Sequence, residues 1–142
     1  MKKFFLDTSA YSLFKRGNAA LIEKIKGADE VYLNAIVIGE LLAGFDGGKF
    51  REVNRRELRE FLEYPMVVVT PITEETSEKY SLIYNDLKNQ GTPIPTNDLW
   101  IAASVMETGT CLMTADQHFQ KVRQIQMDFT PHLPGQGARP SV

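Results

Sequence analysis

Four acidic residues, Asp7, Glu40, Asp98 and Asp116, stand beside apolar segments, and at Glu40 solvation alone does not account for a carboxylate. Asp7 closes the run Phe4-Phe5-Leu6, and Asp116 lies two residues past Cys111-Leu112-Met113-Thr114. Glu40 follows Ile36 and Val37 by four and three residues, with Leu41 and Gly44 after it, which puts it on or beside an apolar helix face. Asp98 heads the apolar stretch Leu99-Trp100-Ile101-Ala102-Ala103. A buried carboxylate without a partner is expensive, and few basic residues lie close to these segments. A divalent cation would satisfy all four. Oxygen-only donors select a hard ion, Mg²⁺ with Mn²⁺ as a substitute, and no Cys pair or His pair stands at zinc spacing. Each acid taken singly also has a plainer reading: Asp7 and Asp116 as helix caps, and Asp98 as a favourable charge on a helix dipole, a stabilisation of roughly 0.3–1 kcal/mol.

The elements that must position these residues follow from hydrophobic period and punctuation. Short apolar or β-branched runs predict strands at Lys3–Leu6, Glu30–Leu33, Met66–Val69 and Thr110–Thr114, with a weak fifth near Gln124–Met127. Helical patterns predict helices from Asp7-Thr8-Ser9 to Lys15, from Ala19 to Lys26, and from the Asn34 cap to Phe45. Further helices are expected at Lys49–Glu63, Thr73–Asn89, Asp98–Glu107 behind an Asn97 cap, and Asp116–Lys121. Strands alternating with helices imply an α/β fold built on a central, mainly parallel twisted sheet of four to five strands. Ligands of such sheets bind at the carboxyl ends of the strands. Asp7 and Asp116 follow strands, and packed helices run antiparallel to them, so Asp98 and Glu40 return to that same edge.

The 142 residues fit one domain, expected over 1–130, with a Pro- and Gly-containing tail over 131–142 expected to be loose. Cys111 is the only cysteine; it reads as a buried, inert thiol in a reducing compartment. The apolar N-terminal run ends after three residues at Asp7, too short for a secretory signal. No stretch approaches the roughly 20 apolar residues of a membrane span, so a cytoplasmic location is expected. The formal net charge of −2 argues against a nonspecific nucleic-acid coat protein but not against an enzyme with a local basic patch.

The segments Leu6-Asp7-Thr8-Ser9, Ile38-Gly39-Glu40-Leu41, Asn97-Asp98-Leu99-Trp100-Ile101-Ala102-Ala103 and Leu112-Met113-Thr114-Ala115-Asp116-Gln117-His118-Phe119 together resemble the PIN-domain ribonucleases. More narrowly they are similar to the toxins of the VapBC toxin–antitoxin systems. They occur in the family's order and span the chain from Asp7 to Phe119. The resemblance implies an Mg²⁺-dependent endoribonuclease, the toxin of a type II toxin–antitoxin pair. Asp7, Glu40, Asp98 and Asp116 would bind one or two metal ions and activate a water against an RNA phosphodiester. Thr8, Ser9, Asn97 and Thr114 would support the acids. A second copy of the chain and a cognate antitoxin would be partners. The antitoxin would lie over the first helices, where Tyr11, Leu13 and Phe14 either line its groove or pack into the core.

RNA approaching an acidic site needs cations elsewhere. Arg51, Arg55 and Arg59 recur every four residues, with Lys49 and Arg56 nearby, and read either as a phosphate-gripping stripe or as a solvated face shared with Glu52, Glu57 and Glu60. Lys15 and Arg16 form a second candidate patch. The main competing reading is a PIN-like module that binds RNA or protein without catalysis; a module of that kind has no need of four converging carboxylates. A receiver domain would need an acid after its third strand, and Val69-Thr70-Pro71 offers none. A flap-type DNA nuclease would need a longer chain. A Ser9–His118 pair lacks a nucleophile elbow, and His118 is expected to be a surface or packing residue.

Overall fold

The computed structural model describes residues 1–131, so most of the tail expected from 131 lies outside the described residues. Five strands form one sheet: β1 (Lys3–Leu6), β2 (Glu30–Leu33), β3 (Val67–Val69), β4 (Cys111–Thr114) and β5 (Gln126–Phe129). Their order is β3-β2-β1-β4-β5, and every pairing is parallel. From β1 the chain builds outward through β2 and β3, then returns to the other side of β1 with β4 and β5. The order therefore reverses between β1 and β4, and their carboxyl ends flank the crevice where such sheets bind ligands. Phe5 and Leu6 of β1, Val31 and Leu33 of β2, and Leu112 and Met113 of β4 are fully buried. That matches continuous apolar runs covered on both sheet faces.

Six α-helices flank the sheet: α1 (Thr8–Lys15), α2 (Ala19–Lys26), α3 (Ala35–Asp46), α4 (Arg51–Leu62), α5 (Glu74–Gln90) and α6 (Thr96–Thr108). A short 3₁₀ helix, Gln117–Lys121, follows β4. The expected elements are all present, with two informative shifts. The α6 helix starts two residues before Asp98, after Pro95, whose fixed φ of −57° replaces a side-chain cap and leaves Asn97 uncommitted to capping. The last strand lies two residues beyond its expected start, because pairing of Gln126–Phe129 with all of β4 sets its limits.

Two polar devices set the site-bearing helices. Asp7 caps α1, its Oδ1 accepting from Ala10 N at 2.8 Å. Asn34, fully buried, caps α3 by accepting from Val37 N at 3.1 Å, as the sequence predicts. Its Nδ2 also donates to Ser104 Oγ of α6 at 2.9 Å, with Ser104 equally buried. This one amide ties the start of the Glu40 helix to the Asp98 helix. Gly109 ends α6 in the left-handed region (φ 64°), which turns the chain into β4 without strain.

Asn34→Ala removes the cap and strands the Ser104 hydroxyl in the core. We expect a loss of about 2–3 kcal/mol in urea unfolding, against less than about 0.5 kcal/mol for an exposed control such as Asn85→Ala.

Candidate active site

The polar ends of these elements meet in one cavity of about 420 Å³, lined by Asp7, Glu40, Asp98 and Asp116 together with Thr8, Ser9 and Arg16. All four acids expected to converge do so. Asp7 is 3% exposed and Asp98 8%, while Glu40 and Asp116 are half-buried.

Each carboxylate is held by named donors. Asp7 Oδ1 accepts from Ser9 Oγ at 2.7 Å and from Ala10 N, and its Oδ2 accepts from Thr114 Oγ1 at 2.6 Å. A carboxylate has about four lone-pair directions, so Asp7 keeps one on Oδ2 for a ligand. Ser9 Oγ and Thr114 Oγ1 in turn accept from Ala115 N and Asp116 N, both at 2.9 Å. The segment after β4 is thereby stitched to the segment after β1. Glu40 accepts from Thr8 Oγ1 at 2.6 Å and from Asn97 Nδ2 at 3.2 Å, one bond to each oxygen. The supporting residues expected from the sequence, Thr8, Ser9, Asn97 and Thr114, all touch an acid. The capping readings of Asp7 and Asp116 hold as well, since Asp116 Oδ1 accepts from His118 N at 2.9 Å. Capping and site membership are one geometry here: the cap bond fixes the rotamer that aims the free lone pair.

Two residues stand at the site that the sequence reading did not place there. His118, read as a surface or packing residue, places Nδ1 at 3.0 Å from Asp98 Oδ2 and 3.1 Å from Asp116 Oδ1. A single histidine just after Asp116 carries no spacing signal; only the tertiary fold brings α6 beneath it. Arg16, expected in a phosphate-binding patch, lines the acid cavity itself. Its neighbour Lys15 instead pairs with Glu57 at 3.1 Å.

The structure also decides between readings the sequence left open. Tyr11 and Leu13 are 1% and 2% exposed, and Tyr11 and Phe14 pack against Phe61 at 5.4 and 5.6 Å between ring centroids. They form core rather than an exposed groove, because α4 folds over α1. Within the arginine stripe, Arg51 Nε and Arg55 Nη1 both bond Asp46, at 2.8 and 3.0 Å. The stripe shares no lining residue with the acid cavity. The sequence expected Cys111 to be buried; it is part-buried, and burial pushes its thiol pKa up, in keeping with an inert group. Ser9 is committed to Asp7 and Ala115, which leaves no Ser–His pair.

The profile of the PIN domain family matches residues 4–125, most of the chain. The chain belongs to the PIN-domain family. Among proteins similar to this PIN domain, Ribonuclease VapC1 of Rickettsia felis is 29% identical over 126 residues, covering 86% of this chain and 92% of that protein. The structure of VapBC-1 from nontypeable Haemophilus influenzae superposes with a TM-score of 0.77 at 26% identity, covering 89% of this chain and 97% of that one. VapBC2 of Rickettsia felis, solved bound to a promoter DNA fragment, shares the fold with a TM-score of 0.76 at 22% identity, covering 89% and 98%. The five-stranded parallel sheet and its flanking helices are thus the PIN architecture.

Electrostatics strains the site. Burial pushes the Asp7 carboxyl up to about 6 against the bonds from Thr114, Ser9 and Ala10, with the Asp116 charge adding to the rise. Burial and the Asp116 charge push Asp98 up to about 6 as well, opposed by His118. Asp98, Asp116 and His118 present ligand atoms within 4.8 Å of one another. Buried carboxyls driven towards protonation, with lone pairs aimed into a shared cavity, fit a divalent cation.

A carboxyl whose folded pKa lies above its unfolded value binds more protons folded than unfolded in the window between them. The stability that Asp7 and Asp98 contribute is therefore present below about pH 4 and is lost as pH rises through about 6. We expect added Mg²⁺ or Mn²⁺ to raise Tm more at pH 7.5 than at pH 5, because cation and proton compete for the same oxygens. Without metal at pH 7.5, Asp7→Asn melts above the unmodified protein, by roughly 3 °C per kcal/mol of relieved burial cost.

Proposed function

We propose that this PIN domain is a metal-dependent endoribonuclease, the toxin of a toxin–antitoxin pair acting in the cytoplasm. The observation that carries the reading is the convergence of Asp7, Glu40, Asp98 and Asp116 on one cavity at the sheet's switch point. The relatives named Ribonuclease VapC1 and the solved VapBC-1 complex support both the RNA substrate and an antitoxin partner. Asp7, Asp98 and Asp116 would hold Mg²⁺ or Mn²⁺. Such an ion supplies positive charge against the scissile phosphate and makes water a stronger nucleophile.

The chain's own groups account for the rest. Glu40, fixed at both oxygens by Thr8 and Asn97, keeps a lone pair on each with which to orient the attacking water and accept its proton. Arg16 lines the same cavity, where its guanidinium would attract the phosphate. Ser9 and Thr114 do not react; their hydroxyls lock Asp7 and the chain after β4. A second cavity of about 690 Å³ continues from Ala115 and Asp116 past His118 to Gln120 and Lys121. Its shared residues support a path for the RNA strand across Asp116, with Lys121 on a flanking phosphate. Arg56 and Arg59, exposed on α4, would extend the grip. Tyr84 and Leu82, exposed on α5, suit contact with a second copy of the chain.

Cleavage of cellular RNA is expected to require Mg²⁺ or Mn²⁺, to vanish in Asp98→Asn, and to leave 5′-phosphate and 3′-hydroxyl ends. A 2′,3′-cyclic phosphate product would overturn the attack by water, and RNA binding with no cleavage under any metal would overturn the nuclease reading in favour of a purely binding role. Lys121→Ala should raise KM several-fold, about 1 kcal/mol or less, while kcat holds, and should flatten the salt dependence of binding. An unchanged KM would remove Lys121 from the path.

A further inference from the structure

The imidazole of His118 offers a nitrogen that can ligate a metal beside two of the acids, Asp98 and Asp116. Its Nδ1 stands 3.0 Å from Asp98 Oδ2 and 3.1 Å from Asp116 Oδ1. Three atoms that can each offer a lone pair thus converge. A proton on Nδ1 points fully at only one of the two oxygens. Asp116 Oδ1 also already accepts the His118 backbone N–H at 2.9 Å. A metal ion, by contrast, uses all three atoms together. Octahedral bonds of about 2.1 Å place neighbouring donor atoms about 3.0 Å apart, the spacing of both nitrogen–oxygen pairs, and all three atoms lie within 4.8 Å of one another.

The ring is set for this role by its own segment. Asp116 caps the 3₁₀ helix through the His118 backbone amide, so the residue two positions on is returned over the carboxylate. Phe119, fully buried, anchors the next position in the core and limits how far the ring can swing away. The side chain itself is 46% exposed, so Nε2 can carry its proton towards solvent while Nδ1 faces the acids.

We propose that His118 Nδ1 is a direct ligand of the bound cation, making this a mixed nitrogen–oxygen site rather than an all-carboxylate one. This rests on the metal-dependent reading above. Imidazole suits transition ions better than Mg²⁺, which prefers oxygen and holds its own waters. The site therefore discriminates for Mn²⁺ over Mg²⁺ more strongly than four carboxylates alone would, and His118 is the specificity-determining group.

The test uses the full-length protein loaded with Mn²⁺ and no RNA. Pulsed EPR should detect ¹⁴N coupling to the bound Mn²⁺, absent in His118→Gln and retained in His132→Gln, the chain's other histidine. Calorimetric Mn²⁺ affinity should fall by about tenfold or more in His118→Gln, with a smaller change for Mg²⁺ measured in parallel. Thermal melts of the metal-free variant check that it folds. Mn²⁺ binding that depends on Asp98 but has no nitrogen coupling, or coupling that survives His118→Gln, overturns the His118 assignment and leaves the nuclease reading standing. Failure to bind Mn²⁺, or binding that survives Asp98→Asn and Asp116→Asn together, overturns both.

Discussion

The burial of carboxylates beside one another in a single cavity is the constraint on which the rest of this structure turns. Asp7 and Asp98 are nearly buried, Asp116 and Glu40 lie beside them, and burial drives the first two towards holding a proton at about pH 6. Left to themselves these groups would separate or neutralise. They stay together because each is held by donors already needed elsewhere. The Asp7 bonds cap α1 and clasp the segment after β4, and the Asp116 bond starts the 3₁₀ helix. Glu40 is clamped between α1 and α6 through Thr8 and Asn97.

Much of the fold can be understood as support for that arrangement. Parallel pairing of β1 with β4 sets Leu6 opposite Met113, so the two chains leave the sheet side by side with Asp7 and Asp116 close behind. Nearly every residue of α6 from Asp98 to Val105 is buried, and its small residues Ala102, Ala103 and Ser104 allow close packing. Asn34 then locks α3 to α6 from within the core. A polar group so placed is costly unless fully bonded, and here both ends of the amide are used. The instability concentrated at the acids is the local condition that favours cation binding, a trade of stability for the proposed chemistry.

The basic groups differ in where the fold places them. Lys15, Arg51 and Arg55 are tied to acids of neighbouring helices and serve to fasten α1 and α4. Arg16 and Lys121 line the two cavities that meet at Asp116. Charge near the acid site is thus set by chain geometry rather than by the density of arginine in a segment, which is highest on a helix that shares no lining residue with the acid cavity.

The sequence by itself determined the element order, the parallel α/β class and the shared edge of the four acids. These follow from hydrophobic period, from capping residues such as Asn34, and from the direction of chain travel, all of which are local or topological. It also supplied Thr8, Ser9, Asn97 and Thr114, through the ordered motifs that mark the PIN family. What only the tertiary structure decided was which side chains meet across elements. Asn97 reads as a cap yet reaches Glu40, because Pro95 takes the start of α6. Tyr11 and Leu13 read as either groove or core, and α4 closing over α1 makes them core. His118 and Arg16 carried no periodic signal of site membership. Their place depends on distances between segments far apart in the chain, which packing sets and local pattern does not encode. The four acids were legible as a set; the nitrogen that completes their geometry was not.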